Sequence, residues 1–224
     1  MIRLEDVVVS AGAHVVLHPL TLEVAQSSLA LVGPNGSGKS TLLRLLNGLV
    51  LPTRGRVEVD GLDPETALGR LRRHVGFVFT DPDAQLVMPT AVEDVALSLR
   101  RIDVPRRERD TRARALLETQ GLAEYADSSV REMSSGQRQL LALTSVLATR
   151  PAVLVCDEPT TLLDLRTAHR IADVLLAGGA QLVVATHDLD LAARTERALW
   201  LEDGRVRLDG PAAEVVAAYR GSVG

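Results

Sequence analysis

Lysine is nearly missing from this chain. Of 25 basic residues among 224, 24 are arginine and one is lysine, Lys39. A composition drift toward Arg, Ala, Val and Leu accounts for the arginines. It also marks Lys39 as a place where a compact ammonium on a flexible stem serves and a wide planar guanidinium does not. Cysteine is equally scarce. Cys156 alone excludes an intrachain disulfide framework and fits a reducing compartment. No apolar run approaches the ~18 residues of a membrane helix. Ile2–Val9, interrupted by Arg3, Glu5 and Asp6, does not read as a leader peptide. A net charge of −4 disfavours a general nucleic-acid binder. These absences point to an intracellular, soluble protein.

What is present is ordinary globular material, 46% apolar and 24% charged, enough to bury a core without staples. Residues 3–9 and 20–24 read as strands, as do Ser28–Val32, Gly55–Gly61 and Val75–Phe79. Ser40–Leu49 carries Leu42, Leu45, Leu46 and Leu49 on one helical face. From Asp94 to Ala148 the pattern is helical, with breaks at Pro105, Gly121 and Ser134. Ala152–Cys156 and Gln181–Ala185 are buried-type strands with a helix between them. Ala198–Leu208 predicts a closing hairpin around Asp203-Gly204, and Pro211–Tyr219 a last helix. Alternation at both ends with a helix-only insert predicts an α/β fold with parallel strands. One domain is expected over 1–224, with a core of about 1–84 and 146–224 and a helical subdomain of about 85–145.

Four motifs carry chemistry. Gly33-Pro34-Asn35-Gly36-Ser37-Gly38-Lys39-Ser40-Thr41 has the phosphate-loop pattern, between a strand and a helix as that pattern requires. Its amides and helix N-terminus suit phosphate oxygens, Lys39 would reach the β/γ-phosphates, and Ser40 would ligate Mg²⁺. The apolar strand ending in Asp157-Glu158 supplies a carboxylate for Mg²⁺ and another to orient or deprotonate water. Ser134-Ser135-Gly136-Gln137 precedes an apolar helix. Its spacing is that of a capping box, and the same N-terminus is able to hold a γ-phosphate. His187, after the strand ending at Ala185, is positioned as a γ-phosphate sensor.

Taken along the chain, as phosphate loop, Met133–Gln137, Asp157-Glu158-Pro159-Thr160 and His187, the motifs resemble the nucleotide-binding subunits of ATP-binding-cassette (ABC) transporters along essentially the whole chain. The resemblance implies a P-loop NTPase (RecA-like) core with an N-terminal antiparallel β part and an inserted α-helical subdomain. It also implies ATP and Mg²⁺ as cofactors. It further implies a head-to-tail homodimer with ATP at the interface, where Ser134, Ser135, Gly136 and Gln137 of one copy face the phosphate loop of the other. Thr161–Asp164 matches the segment that crosses that interface.

In the signature Met133 stands for the usual leucine and Ser135 for a glycine, a small-for-small change expected to leave function intact, and two other departures matter more. Ala11 stands where an aromatic residue usually stacks on adenine, which predicts weak base selection unless His14 substitutes. Thr80 stands where a glutamine usually serves Mg²⁺ and water and relays the site to the membrane partner. Thr80 remains a possible metal ligand with a shorter reach, and slower or more partner-dependent hydrolysis is expected.

Phe79-Thr80-Asp81-Pro82-Asp83-Ala84-Gln85, followed by Val92-Glu93-Asp94-Val95-Ala96, is similar to the ATPases of energy-coupling-factor (ECF) vitamin and metal importers, and most to their biotin branch. That likeness implies a peripheral subunit on the cytoplasmic face of the inner membrane. Its partners would be a transmembrane scaffold (T component) and a small substrate-binding membrane protein (S component), with no nucleic acid. Leu86, Val87 and Met88 then offer an adaptable docking surface, or else an ordinary buried edge. The run from Arg100 to Arg114, interleaved with Asp103, Glu108 and Asp110, reads as a solvated, salt-bridged face. The competing readings are a cobalt, nickel or other importer ATPase, and a soluble cassette acting on ribosomes or DNA. Members of the second class usually carry a tandem cassette or a long coiled-coil insert, and neither is read in this acidic chain.

Overall fold

The computed structural model describes residues 1–223. The chain opens with β1 (Ile2–Ala11) and β2 (His14–Val24), joined by a two-residue turn and paired with β4 (Arg54–Val59) in a three-stranded antiparallel sheet of order β2-β1-β4. The second strand runs from His14, earlier than the 20–24 core suggests. Pro19 does not stop it, because β2 is an edge strand with one side unpaired.

The larger sheet has the order β5-β6-β7-β3-β8-β9. Its members are β3 (Ser28–Val32), β5 (Val75–Val78), β6 (Val153–Asp157), β7 (Gln181–Ala185), β8 (Arg197–Glu202) and β9 (Arg205–Pro211). The first five are parallel and β9 turns back antiparallel through Asp203-Gly204. Every residue of β3 and β6 is buried, as expected of parallel strands covered on both faces.

Two cores follow from this layering. One lies between the sheets and contains α1 (Lys39–Leu46), with Leu17, Leu31, Leu43 and Val155 at its centre. The other lies between the opposite face of the large sheet and the helices α3 (Ala91–Leu99), α4 (Arg106–Thr119), α5 (Ser135–Leu147), α6 (Leu165–Ala177) and α8 (Ala212–Val223). Helices α3 to α5 form the insert between β5 and β6.

Helix α1 stops at Leu46, three residues before the apolar face ends. Gly48 takes φ +68°. Its N–H bonds to Leu45 O at 3.2 Å, and the Leu49 N–H bonds to Arg44 O at 2.9 Å. This is a Schellman termination, which turns Leu49 out of the helix. Two helices have no apolar stripe long enough to announce them, α2 (Pro64–His74) and α7 (Leu189–Ala193). Both begin on an aspartate cap, Asp63 before Pro64 and Asp188 before Leu189, and those caps were the available sequence signs. The charged face of α4 is paired, with Arg112 on Glu108 at 2.8 Å and Arg114 on Asp110 at 3.0 Å within the helix, and Arg114 on Asp127 beyond it at 2.6 Å.

Candidate functional site

The phosphate-loop pattern sits at the carboxyl end of β3, the middle of the parallel sheet, and leads directly into α1. Its backbone is possible only with glycine. Gly33 has φ +142°, and a β-carbon there would lie 2.0 Å from Leu201 O. Gly38 has φ +98° and abuts Leu17 on β2. It is also the N-cap of α1 and lends no side chain to the free amides, so the first turn keeps its donors for an anion. Ser37 is 2% exposed, and its Oγ has no hydrogen-bond partner among the described residues.

Lys39 is buried, and its ammonium turns back on Gly33 O at 2.7 Å and Pro34 O at 3.1 Å. Burial holds this group below the usual lysine range, partly opposed by the carboxylates of Glu158 and Asp157. An incoming phosphate would stabilise its charged form.

Strand β6, packed beside β7, brings Asp157 to the same end of the sheet. Ser40 Oγ donates to Asp157 Oδ1 at 2.9 Å. Two hard oxygen donors side by side, one of them a carboxylate, fit Mg²⁺. Thr80, at the end of β5, is also here, but its hydroxyl donates to the backbone carbonyl of Asp157 at 2.9 Å.

Glu158 follows with φ +51°, a left-handed turn that a non-glycine residue rarely adopts. Its Oε2 accepts from the His187 N–H and from Thr161 Oγ1, both at 3.1 Å. The imidazole Nε2 of His187 lies 2.9 Å from Asn35 Oδ1 and 3.3 Å from Glu158 Oε1. One N–H cannot align on both. It points at Asn35, and Oε1 remains a buried acceptor without a donor. Phosphate loop, Glu158 and His187 thus meet in one cluster. Thr161 belongs to it as well, and no residue pattern singled it out for this contact.

The segment Ser134–Gln137 is elsewhere. Ser134 and Gln137 close a reciprocal capping box on α5, at 2.7 and 3.2 Å. A β-carbon at Gly136 would come within 2.7 Å of Thr167 on α6. Among the described residues none of the four bonds to the phosphate loop. Ser135 is exposed, with nothing from its own chain above it.

A groove of about 670 Å³ opens between Leu49 and Arg72 on one side and α3 and α5 on the other. Val87 and Leu97 stand on it, 68% and 38% exposed. Of the three apolar residues of the docking expectation, Val87 alone is broadly exposed. Leu86 packs on the core and Met88 is half-buried. The groove wall is held by Asp94, buried at 4% exposure. Its carboxylate accepts from the amides of Val87 and Met88 at 2.9 and 3.1 Å and from Ser145 Oγ at 2.9 Å. The sequence places two acids in this stretch, Glu93 and Asp94, and gives no sign of which one is buried.

Site and fold together define a P-loop nucleotide hydrolase with a helical insert. A family model described as ABC transporter matches residues 17–161, more than half of the chain. The biotin transport ATP-binding protein BioM of Rhizobium etli is 41% identical over 219 residues, covering 98% of this chain and 97% of the relative. The energy-coupling factor transporter ATP-binding protein EcfA1 of Lactiplantibacillus plantarum is 40% identical, covering 92% of this chain and 75% of the relative. Among solved structures, a dimeric ATP-binding cassette in a post-hydrolysis state with ADP and Pi superposes with a TM-score of 0.82 at 30% identity, covering 95% of this chain and 99% of that one. The chain belongs to the ABC transporter family, as an ATP-hydrolysing subunit of the energy-coupling-factor type.

Proposed function

We propose that this chain is the ATPase that energises an ECF importer for a vitamin, with biotin as the cargo. The observation that carries a membrane role is the groove, where exposed Leu49, Val87 and Leu97 stand with Arg72, Arg100 and Arg101 around a wall pinned by a buried carboxylate, beside a nucleotide cluster built within one chain. Biotin rests on Phe79–Gln85 and on the Rhizobium relative's name. The two relatives differ by one point in identity, so overall identity assigns no cargo.

In this reading the amides of 33–38 and the Lys39 ammonium neutralise phosphate charge. Ser40 and Asp157 would hold Mg²⁺, which supplies electrostatic stabilisation of the phosphates when bound. The free Oε1 of Glu158 accepts a proton from water as its oxygen attacks the γ-phosphorus and the bond to the β-phosphate oxygen breaks. His187 contacts the γ-phosphate, and its ring is already oriented by Asn35. Ser135 and Gly136 serve a second copy head-to-tail, which gives the exposure of Ser135 a purpose. Closure on ATP and reopening after hydrolysis move the transmembrane scaffold in the groove and the substrate-binding component it carries. No helix among the described residues is long and apolar enough to cross a membrane. On the likeness to transporter ATP-binding subunits, the subunit acts peripherally, on the cytoplasmic face.

The test is capture of the chain from mild-detergent-solubilised native membranes. Recovery of a transmembrane scaffold with a small biotin-carrying membrane protein supports the whole reading. A different cargo keeps the importer and removes biotin. Recovery with ribosomes or DNA overturns the transport role.

A further inference from the structure

The phosphate loop is backed by a turn from the far end of the chain. Asp203 and Gly204, with φ +48° and +68°, join β8 to β9 as a two-residue turn whose central residues are both left-handed. The Gly204 N–H donates to Ser37 O at 3.2 Å, and Gly204 O accepts from the His18 N–H of β2 at 2.9 Å. A single residue thus ties the phosphate loop to the antiparallel sheet. Arg205, the next residue, donates to His18 Nδ1 at 2.8 Å and holds the turn to the same strand.

Loop, turn and β2 meet backbone to backbone. A β-carbon on Gly204 would lie 2.4 Å from Val16 O, and one on Gly38 would lie 3.2 Å from the same carbonyl. Leu201, just before the turn, puts its own carbonyl where a β-carbon on Gly33 would fall.

The bond to Ser37 has a direction. No peptide bond among the described residues is cis, and in a trans peptide the C=O and N–H point opposite ways. Anchoring Ser37 O on the turn therefore aims the Gly38 N–H away from it. That N–H has no partner among the described residues, and it stands directly before the free amides of α1. A donor fixed in advance stabilises a phosphate oxygen without the cost of reorienting it on binding.

We propose that Gly204 is a positioning residue for the phosphate loop, its N–H holding the Ser37–Gly38 peptide in the orientation that receives a phosphate oxygen of the nucleotide. This rests on the phosphate-loop reading above and goes beyond it, since the β8–β9 turn lies outside every motif that carries that reading.

Gly204→Asn tests this in the whole chain. Asparagine is accepted at left-handed turn positions, so the hairpin still closes, but its β-carbon meets Val16 O and lifts the turn from the loop. A fluorescent ATP analogue should bind ~10-fold more weakly or worse, the worth of one hydrogen bond to a charged group. Asp203→Asn, at the exposed turn residue beside it, should bind within about twofold of the parent, as at ordinary surface sites. Thermal unfolding followed by Trp200, the chain's one tryptophan, separates positioning from support of the fold. Bound Mg–ATP raises the midpoint by an amount set by its affinity. A merely structural Gly204 would lower the midpoint equally with and without Mg–ATP and leave that rise intact, whereas a positioning Gly204 loses most of the rise on substitution. Where Gly204→Asn does not fold, hydrogen exchange in the parent decides. The amides of 203–206 should exchange ~5-fold more slowly or less with Mg–ATP bound, because a turn whose opening weakens binding is by reciprocity held shut by binding. Parent-like affinity and rise in folded Gly204→Asn, or unchanged exchange at 203–206, overturns the proposal. Lys39→Ala separates the two readings. Parent-like binding of the analogue by Lys39→Ala would remove the phosphate-loop reading itself, whatever Gly204→Asn shows.

Discussion

The nucleotide edge and the groove are built on opposite principles. At the nucleotide edge the side chains are already committed. Lys39 and Asp157 are 7% and 4% exposed, Gly33 and Gly38 admit no β-carbon, and the unpaired atoms are a hydroxyl and a carboxylate oxygen. Along the groove the commitment lies beneath the surface, in Asp94, while Val87, Leu97 and Leu49 remain open to water. The first is a nearly complete site for a small charged ligand. In the proposed function the second is half of an interface. Leu162 and Leu165, 93% and 79% exposed on the segment after Glu158, resemble the groove in this respect and not the neighbouring nucleotide cluster.

Glu158→Gln separates the regions most strongly. It should lower ATP hydrolysis by ~10²- to 10⁴-fold, the usual worth of a general base, and leave nucleotide binding intact. Phosphate release and a fluorescent-nucleotide titration measure the two. Ala11→Tyr tests whether the nucleotide edge is finished. A ring beside the base should tighten ATP binding by ~1–3 kcal/mol, the range for base–aromatic stacking, and widen the preference for ATP over GTP. Equal affinities before and after would mean that the base does not lie against the β1–β2 turn. Val87→Asp with Leu97→Asp addresses the groove. Both residues are exposed, so stability should change by only about 0.5 kcal/mol, as at ordinary surface sites, while co-purification with the membrane complex is lost.

The smallest effect lies away from both regions. Asp60 joins the Met1 ammonium and His74, whose Nε2 is 2.7 Å away. Burial opposes ionisation of the carboxyl, but the bonds to His74 and the N-terminus prevail and hold it below the usual carboxylate range. A lowered folded pKa contributes stability above the unfolded value of about 3.9 and loses it as pH falls through the folded value. Asp60→Asn should therefore cost under about 1 kcal/mol at pH 6, discounted for exposure. The difference should vanish in urea titrations run below the folded pKa.

Periodicity exposed the large sheet and most of the insert, because strands buried on both faces are continuous apolar runs. It missed α2 and α7, whose caps are clear but whose apolar stripes are short. It overran α1, because Leu49 continues the helical period although Gly48 ends the helix. At the site, Gly33–Thr41, Asp157, Glu158 and His187 were legible because phosphate chemistry demands those residue types in fixed local order. Asp94 and Thr161 were not, since a buried acceptor and an exposed one look alike in a sequence. Thr80 was legible as a departure, while the partner of its hydroxyl was not.

By itself the sequence determined the phosphate loop, the strand–helix alternation, the insert and the resemblance to ABC ATPases, all of which are local in the chain. Tertiary structure alone decided which distant residues meet: Thr161 and His187 on Glu158, Asn35 on His187, and Thr80 on the carbonyl of Asp157. Those contacts depend on the order and register of parallel strands that lie far apart in sequence. Side-chain hydrogen bonds formed across that register leave no periodic trace.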